Sequence, residues 1–560
     1  VQQHGFLPAE AARRGDSDAL EAHRAVLAAL PALAAEHRVR ERLEELPLVE
    51  VVFEYESFFD SSCLLVESAA AAESAFRLFA FLASAYVNCA SIELTDQSEA
   101  REPVVLPACL AVPLKALAAH LGRLPILDYA ACVLYNWELV DPTRPVSFDN
   151  VRILDTFTQL PAEEWFFKTH VVIEYHGADA IRAIHQIEQV IHQRVNYEED
   201  TEFRVVEFVI AALDHFASAL ERMNLTLGRM KDGCQDYEFY NSVRPWLTGW
   251  PPCGVIYATA DSSDHEPERF SGGSGAQSSL MPCFDFFLGV VHGAATKTRA
   301  PTAEAQVARQ SFVEALKRYR AYMPPSHRDF IQHLEDSPSI RHFVDSVEAA
   351  QSDCKAKSVD NELAIIVSEQ YRMKYTNLGR LLARLKARYN ECVDQVLNFR
   401  RKHIGFAISY ITASARRRAD QMAADGDQQK SMDLVAKSAV GTGGSEFHKH
   451  LMQHVNDTRQ CLYKVDVEAQ PVLPGLGAPA GASPLTPLLV RQRRFVLPGL
   501  GPSLPTGGPF GKRPPSVSYG VSFMPSPRAA PSPVSASPRT ASHQVAGGAA
   551  ALRPPPPAPA

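Results

Sequence analysis

Acidic residues are missing from the last part of the chain. No Asp or Glu occurs from Pro471 to the last residue, a stretch that holds eight Lys and Arg residues. Since the 560 residues together carry a formal net charge of -8, the part before Pro471 is more acidic than the whole. Binding to a nucleic-acid backbone needs a basic surface, so this acidic body argues against nucleic acid as the main partner.

Closely spaced cysteine pairs and long apolar runs are also missing. The ten cysteines are scattered and none forms a C-x-x-C pair, which favours reduced thiols over a disulfide framework or a zinc site. The N-terminal residues lack the charged-then-apolar pattern of a signal peptide. The most apolar stretch, 78–92, is shorter than the roughly 20 residues of a membrane span. We therefore expect a soluble, cytoplasmic protein without a membrane partner.

Composition divides the chain into three regions. Residues 1–158 are predicted to form a small mixed domain, because short helical patterns alternate with prolines such as Pro113, which break helices from inside. Residues 159–465 show long apolar patterns at spacings of three and four, which predict a large all-helical domain. Residues 466–560 are rich in Pro, Ala, Gly and Ser and predict a disordered tail, because they cannot bury enough apolar surface to offset chain entropy.

Several segments carry more specific patterns. Residues 39–46 look helical, whereas 51–59 are rich in Val, Phe and Tyr and could be a strand or a short buried helix. Apolar residues recur every three or four positions over 206–227 and over 378–410, which predicts two long amphipathic helices. The polar segment 415–430 is expected to be a mobile loop or a frayed helix.

His403 lies in the second apolar stripe, where Leu or Val would be expected. A buried histidine needs a polar partner for each ring nitrogen, and neutral imidazole is also the usual axial ligand of haem iron. Arg400 lies on nearly the same helix face, and Asp285 lies in an apolar segment where a carboxylate needs a partner. The alternatives are a satisfied core histidine, a solvated Arg400 and an Asp285 at a domain edge.

Three further segments are candidates for binding. The glycine-rich loop 270–279 lacks the spacing of a phosphate loop or a nucleophile elbow, so it is either a close-approach backbone for a flat ligand or a flexible loop. Residues 441–445 form a second glycine-rich segment. Taken alone, this segment predicts only a linker. His450 and His454 are one helical turn apart and could bind a metal, but no carboxylate or cysteine pattern completes a site.

Two aromatic residues, Phe239 and Tyr240, shortly precede Arg244. Aromatic faces suit an indole ring, and a guanidinium suits a carboxylate through bidentate pairing. The alternative interpretation is an amphipathic helix end with a surface arginine.

Together these segments resemble the indoleamine 2,3-dioxygenase family, from about residue 5 to residue 462. The segments that carry the resemblance occur in the order expected for that family: 124–137, 239–250, 272–284, 320–328, His403 and 441–445. The resemblance implies a mainly α fold, with a small mixed N-terminal domain over a large helical domain that binds heme b. It implies cleavage of the indole ring of L-tryptophan, or a related indoleamine, by O2 to N-formylkynurenine, the first step of the kynurenine pathway. It also implies an electron donor that keeps the iron ferrous, and a monomer.

The resemblance assigns roles to single residues. His403 matches the proximal haem ligand, and Arg400 and Asp285 match the pair that supports it. Phe239 matches the aromatic residue that contacts indole, and Arg244 matches the residue that binds the substrate carboxylate. Five residues match the wall of the distal pocket: Tyr129, Cys132, Val133, Phe166 and Phe167. Gly273, Ser274 and Gly275 match the loop over the haem, and Thr442 matches the residue of a mobile loop that closes over substrate.

One position departs from the pattern. With Glu174 as the anchor of the register, His170 falls where animal indoleamine dioxygenases carry Ser, whereas the related tryptophan 2,3-dioxygenases use a distal His. His170 is therefore the candidate catalytic residue, because it could hydrogen-bond the indole N–H or bound oxygen. It could also narrow the pocket against indoles substituted at nitrogen. The alternative is an error of one residue in the register.

Two other functions remain open at this point. A haem protein that binds oxygen with little or no turnover needs His403 but neither Phe239 nor Arg244. A helical interaction protein with a vestigial haem site would act through its tail, where Ser526-Pro527, Ser532-Pro533 and Ser537-Pro538 could be phosphorylated.

Overall fold

Helices account for most of the computed structural model, which confirms the mainly α fold class. The structure describes residues 5–8, 18–53, 63–93, 102–193, 199–259, 266–292, 303–359, 365–427, 431–432, 434 and 447–464. Thr442 with its loop, and the tail predicted for 466–560, lie outside the described residues.

The N-terminal part combines helices with very short strands. Its helices are α1 (Glu21–Ala35), α2 (Val39–Glu44), α3 (Ala69–Glu93) and α4 (Ala108–Leu121), with a 3-10 turn at Asp18–Leu20 and a π-helical turn at Ala130–Leu134. Its strands are β1 (Glu50–Val52), β2 (Cys63–Leu65), β3 (Val104–Leu106), β4 (Trp137–Leu139) and β5 (Val151–Ile153). The helix predicted over 39–46 is confirmed, and the segment 51–59 begins in strand β1.

Long helices dominate the rest of the described chain. They are α5 (Pro161–Gln193), α6 (Glu199–Gly228), α9 (Leu280–Leu288), α10 (Ala303–Arg320), α11 (Pro325–Asp336), α12 (Ile340–Val359), α13 (Ile365–Ala407), α14 (Ser414–Ala424) and α15 (Phe447–Arg459). Shorter elements are α7 (Met230–Gly233), α8 (Asp236–Glu238), two π-helical turns (Phe239–Val243 and Ile408–Ala413), two 3-10 turns (Arg244–Leu247 and Gly275–Gln277) and β6 (Val255–Tyr257). The two long amphipathic helices are confirmed as α6 and α13, and most of 415–430 is helical rather than a loop.

The strands form three separate pairs. β1 pairs with β2 and β3 with β6, both in parallel, whereas β4 and β5 are antiparallel. In the second pair Val104 lies opposite Val255. A strand from the region predicted to be all helical therefore joins the edge of the N-terminal part.

Helix α3 is longer than the sequence pattern suggested. The prediction that its apolar stretch is too short for a membrane span is wrong, because the helix begins at Ala69 and includes Arg77. It is long and apolar enough to cross a membrane, yet 89% of its most apolar window is buried inside the protein. Arg77 is tolerated because its Nε lies 2.5 Å from Asp155 Oδ2. The burial of α3 is that of a core helix.

Helix α4 continues through Pro113, so the prediction that this proline interrupts a helix is wrong. A proline inside a helix loses one backbone hydrogen bond. In α4 the Pro113 ring is buried among apolar side chains, and that burial offsets part of the loss. The helix ends instead at Gly122, whose φ of 64° is left-handed and favours glycine.

Helix α5 separates two hydrophobic clusters. The first cluster is built by α1–α4 and by later residues such as Trp246 and Tyr410, and the second by α5, α6, α9 and α11–α13. Phe167 of α5 belongs to the first cluster and Ile181 to the second. The boundary at 158/159 falls just before α5 and stays a prediction.

Candidate functional site

His403 lies near the C-terminal end of α13. Its side chain is exposed, yet burial of the surrounding region lowers the pKa of the imidazole to about 4. A side chain that is accessible and strongly desolvated at the same time lines a cavity inside the protein rather than the outer surface. At neutral pH the ring is therefore neutral and keeps a lone pair, as an iron ligand requires.

His170 of α5 faces the same cavity from another helix. A positive charge on His170 would lower the pKa of His403, so the two side chains interact electrostatically. Burial also lowers the pKa of His170, and its Nδ1 lies 2.8 Å from the Phe166 carbonyl oxygen. The carbonyl can only accept a hydrogen bond, so Nδ1 carries the proton and Nε2 is an acceptor.

The proximal pair inferred from the sequence forms in the structure. Arg400 Nη2 lies 2.6 Å from Asp285 Oδ2, and both side chains are buried. Arg400 also donates to Thr458 Oγ1 of α15. Burial would raise the pKa of the Asp285 carboxyl, but Arg400, with a contribution from His292, holds that pKa below its usual range. The pair joins α9 and α15 to the segment of α13 that carries His403.

Breaking this pair is expected to destabilise the fold. Arg400→Leu leaves the Asp285 carboxylate buried without its guanidinium, which costs about 3–5 kcal/mol. We expect a lower thermal unfolding midpoint by several degrees, measured by circular dichroism at one fixed haem loading. Arg401→Leu is the matched control, because Arg401 is the exposed neighbour on the same helix. Equal midpoints for the two variants would contradict the assignment of Arg400 to a stabilising pair.

Aromatic side chains from three elements form one wall of the site. The ring centroid of Phe166 lies 4.5 Å from that of Phe239 and 4.6 Å from that of His170. The Phe239 ring is also 5.8 Å from Tyr410, and Tyr129 is 6.0 Å from His170. These distances bring the predicted indole contact, the distal wall and the candidate catalytic residue into one cluster.

Three π-helical turns contribute to this region. They carry Cys132, Phe239 and Tyr410, respectively. A π turn widens the helix by one residue and shifts the following side chains, and such turns are frequent at functional sites. The widening sets where Phe239 and its neighbours project.

The glycine-rich loop packs closely against the distal wall. A side chain at Gly272 would collide with the Leu247 carbonyl oxygen, and a Cβ added to Gly273 would lie 3.4 Å from Cys132 Sγ. At Gly272 only a residue without a side chain fits, because the backbone of residues 247–249 lies against it. Close approach of a flat ligand to this loop stays a prediction. Ser274 caps the following 3-10 turn, whereas Gly275 is exposed.

Gln277 and Glu174 hold this loop in place, and neither was assigned a role from the sequence. Gln277 Oε1 accepts a 2.9 Å hydrogen bond from the Tyr129 backbone N–H, and its Nε2 donates to the Gly272 carbonyl oxygen at 3.0 Å. Glu174 Oε1 accepts from Tyr129 Oη at 2.9 Å and from Ser278 Oγ at 2.7 Å. Burial raises the pKa of Glu174 to about 7. The only sequence signal was the polarity of Glu174 one turn after His170.

Arg244 begins the 3-10 turn that follows the π turn of Phe239. Its guanidinium carbon lies 5.6 Å from the centre of the Tyr240 ring, and desolvation lowers its pKa. Arg244 is partly buried, which disfavours the alternative of a surface arginine at a helix end. A desolvated guanidinium pairs more strongly with a carboxylate than one in bulk water does.

Other predicted wall residues lie deeper. Val133 is 2% exposed and Phe167 is 1% exposed, so both belong to the packing behind the wall. Cys132 is 4% exposed, and burial raises the pKa of its thiol well above the ordinary value. Contact of Val133 and Phe167 with a ligand stays a prediction, as does the role of Thr442.

The arrangement fits a haem group. His403 offers a neutral imidazole to an enclosed space, the walls are aromatic or apolar, and bare glycine backbone lies on one side. These are the features that hold a flat, largely apolar macrocycle with one axial ligand. Arg400 and Asp285 brace the helix that carries that ligand.

Comparison with known proteins agrees with this site. The family model of indoleamine 2,3-dioxygenase matches residues 1–461. Indoleamine 2,3-dioxygenase 1 of Mus musculus is 28% identical over 386 residues, 68% of this chain and 78% of the relative. Indoleamine 2,3-dioxygenase of Saccharomyces cerevisiae is 30% identical over 282 residues, 48% of this chain and 56% of the relative. The 6-hydroxytryptophan 2,3-dioxygenase of Fusarium equiseti is 25% identical over 399 residues, 70% of this chain and 81% of the relative.

The match over most of the chain and the neutral imidazole facing an internal cavity lead to one conclusion. The chain belongs to the indoleamine 2,3-dioxygenase family of haem-dependent dioxygenases.

Proposed function

We propose that this dioxygenase cleaves the C2–C3 bond of L-tryptophan with O2 and releases N-formylkynurenine. The observation that carries the proposal is the placement of Phe239 and Arg244 in consecutive turns, with Phe239 packed on Phe166 beside His170. An aromatic platform and a desolvated guanidinium suit the two ends of an aromatic amino acid. An oxygen carrier would not need the second of these.

The residues of this chain mainly position the substrate and exclude water. Haem, held by His403, supplies the iron that activates O2. Arg244 fixes the substrate carboxylate, and Phe239 and Phe166 hold the indole ring, so the C2–C3 bond faces the reacting oxygen in one orientation. The closely packed glycine loop and the buried wall behind it limit the access of water. Closure of the loop that contains Thr442 would complete this exclusion.

His170 orients the indole in this proposal. Because Nδ1 donates to the Phe166 carbonyl, Nε2 presents a lone pair and accepts a hydrogen bond from the indole N–H. A neutral ring in this tautomer has no proton on Nε2 to donate. This tautomer supports the hydrogen bond to the indole N–H rather than the other role that the sequence left open.

The reaction is tested with ferrous protein prepared without oxygen, to which tryptophan and then O2 are added. Absorbance of N-formylkynurenine that grows over many turnovers supports the proposal. A protein that binds O2 but forms no product from tryptophan is an oxygen carrier. A protein that turns over 6-hydroxytryptophan and not tryptophan has the same chemistry with another substrate, as the name of the Fusarium relative states for that enzyme.

Replacing His170 is expected to change selectivity at the indole nitrogen. His170→Ala removes the acceptor, so we expect kcat/KM for tryptophan to fall by roughly tenfold, the value of one hydrogen bond of about 1.4 kcal/mol. Turnover of 1-methyltryptophan, which has no indole N–H, should rise or stay unchanged. His170→Gln is the matched control, because its amide oxygen restores an acceptor and part of the preference for tryptophan. An equal loss for both substrates would remove His170 from this role.

The remaining expectations belong to the same proposal. We propose that the enzyme works as a cytoplasmic monomer, that a cellular reductant returns the iron to the ferrous state, and that its product enters the kynurenine pathway toward NAD.

A further inference from the structure

A cluster of histidines and carboxylates includes Asp285 of the Arg400–Asp285 pair. Asp285 comes from α9, His292 from the turn after it, and His454 from α15. One oxygen of Asp285 and one ring nitrogen from each histidine lie within 4.8 Å of one another. We propose that these three side chains bind a divalent transition-metal ion, with zinc as the preferred ion, at a site separate from the haem.

The polar atoms of this cluster are only partly satisfied by the protein. Asp285 is 2% exposed, and among the described residues its buried Oδ1 has no hydrogen-bond partner. The same holds, within the described part of the chain, for the buried Nδ1 of His454 and the buried Nε2 of His450. A buried polar atom without a partner costs about 1–3 kcal/mol. Three such atoms in one cluster indicate a ligand that supplies the missing bonds.

An ion-pair network explains only part of the cluster. Asp285 Oδ2 lies 2.6 Å from Arg400 and 2.9 Å from His292 Nε2. His292 Nδ1 also lies 3.5 Å from Asp457 Oδ2. This network accounts for Oδ2 and for the position of His292. It leaves Asp285 Oδ1 and His454 Nδ1 for a ligand, and an ion that also binds His292 replaces one of the His292 contacts with Asp285 and Asp457.

The chemistry of the ligands selects the ion. Two imidazoles and one carboxylate are borderline ligands, which suit zinc and other first-row transition ions better than Ca²⁺ or Mg²⁺. Zinc bonds of about 2.0–2.2 Å bring ligand atoms to about 3.3 Å from one another, so the three side chains must close around the ion. His450 lies one turn before His454, with the two rings 5.4 Å apart, and can complete a fourfold site.

The proposed ion would tie the C-terminal helix to the haem-binding helix. His454 and Asp457 lie on α15, and Arg400 Nη1 lies 3.4 Å from the His454 carbonyl oxygen. Arg400 in turn is one helical turn before His403 on α13. A metal at Asp285 would therefore stabilise the docking of α15. Through Arg400 it would also affect the position of His403.

The test uses the full-length holoenzyme, treated with EDTA and then titrated with ZnCl2 in a calorimeter. We expect one zinc per chain, a matching zinc-to-iron ratio in elemental analysis after gel filtration, and a higher unfolding midpoint with zinc. His454→Ala should weaken zinc binding at least about 100-fold and abolish the thermal shift, given that even residues outside the metal's own ligands cost 10–100-fold.

His448→Ala is the matched control, because His448 is an exposed histidine on the same helix. His292→Asn is a second variant that leaves α15 intact and should behave like His454→Ala. Each variant is compared only after its Soret band and circular dichroism match those of the parent protein. Absence of stoichiometric zinc in the parent protein overturns the proposal. Equal losses in His448→Ala and His454→Ala, or parental affinity in both His292→Asn and His454→Ala, overturn it as well.

Discussion

Protein that carries His403→Ala is expected to fold but to retain no haem after purification. The accessible side chain of His403 supplies a neutral imidazole to the cavity. None of the other site residues identified on α13 offers a ring nitrogen that could replace it as the iron ligand. Loss of partners outside the metal's own ligands already costs 10–100-fold in affinity, so loss of the ligand itself should cost at least about 100-fold. The measurement is the ratio of Soret to 280 nm absorbance after gel filtration.

Two controls separate a lost ligand from a lost fold. His170→Ala should keep its Soret band, because His170 lies on the other helix that lines the cavity and is not proposed as an iron ligand. His403→Gly should regain haem when free imidazole is added, since the cavity left by the side chain admits the small ligand. A His403→Ala protein with the parental Soret band would refute the assignment of the axial ligand.

The parts of the site that the sequence could predict are local. The period of apolar residues identified α13 and set His403 against the expected Leu or Val, because one helix face repeats every three to four residues. The glycine-rich loop was also predictable from a single segment. Consecutive glycines indicate close approach to the backbone, whatever the partner is. Each of these signals lies within a single element.

The parts that the sequence could not predict depend on contacts between distant segments. Gln277 bonds to the Tyr129 backbone across 148 positions, and Ser278 bonds to Glu174 across 104. The pattern around His450 and His454 lacked a carboxylate, whereas the fold brings Asp285 to it from α9. The helix through Pro113 and the length of α3 were mispredicted for a related reason. The sequence shows the local cost of a proline or an arginine inside a helix, but not the tertiary contacts that offset that cost.

Arg244→Ala is expected to reduce kcat/KM for tryptophan by roughly 30-fold to a few thousandfold. Removing one partner of a buried, hydrogen-bonded charge pair costs about 2–5 kcal/mol, and each 1.4 kcal/mol is a factor of ten. The desolvated position of Arg244 beside Tyr240 is what makes this cost larger than that of a surface pair. Steady-state formation of N-formylkynurenine over a range of tryptophan concentrations measures it.

Tryptamine separates carboxylate binding from every other effect of this substitution. It keeps the indole ring and the amine but has no carboxylate, so the parent enzyme should use it poorly, and Arg244→Ala should use it no worse than the parent does. Arg244→Lys keeps the charge without the bidentate geometry and should fall between the two for tryptophan. If Arg244→Ala loses activity toward tryptamine as steeply as toward tryptophan, the residue acts on the packing of the 3-10 turn, and the carboxylate must be bound elsewhere.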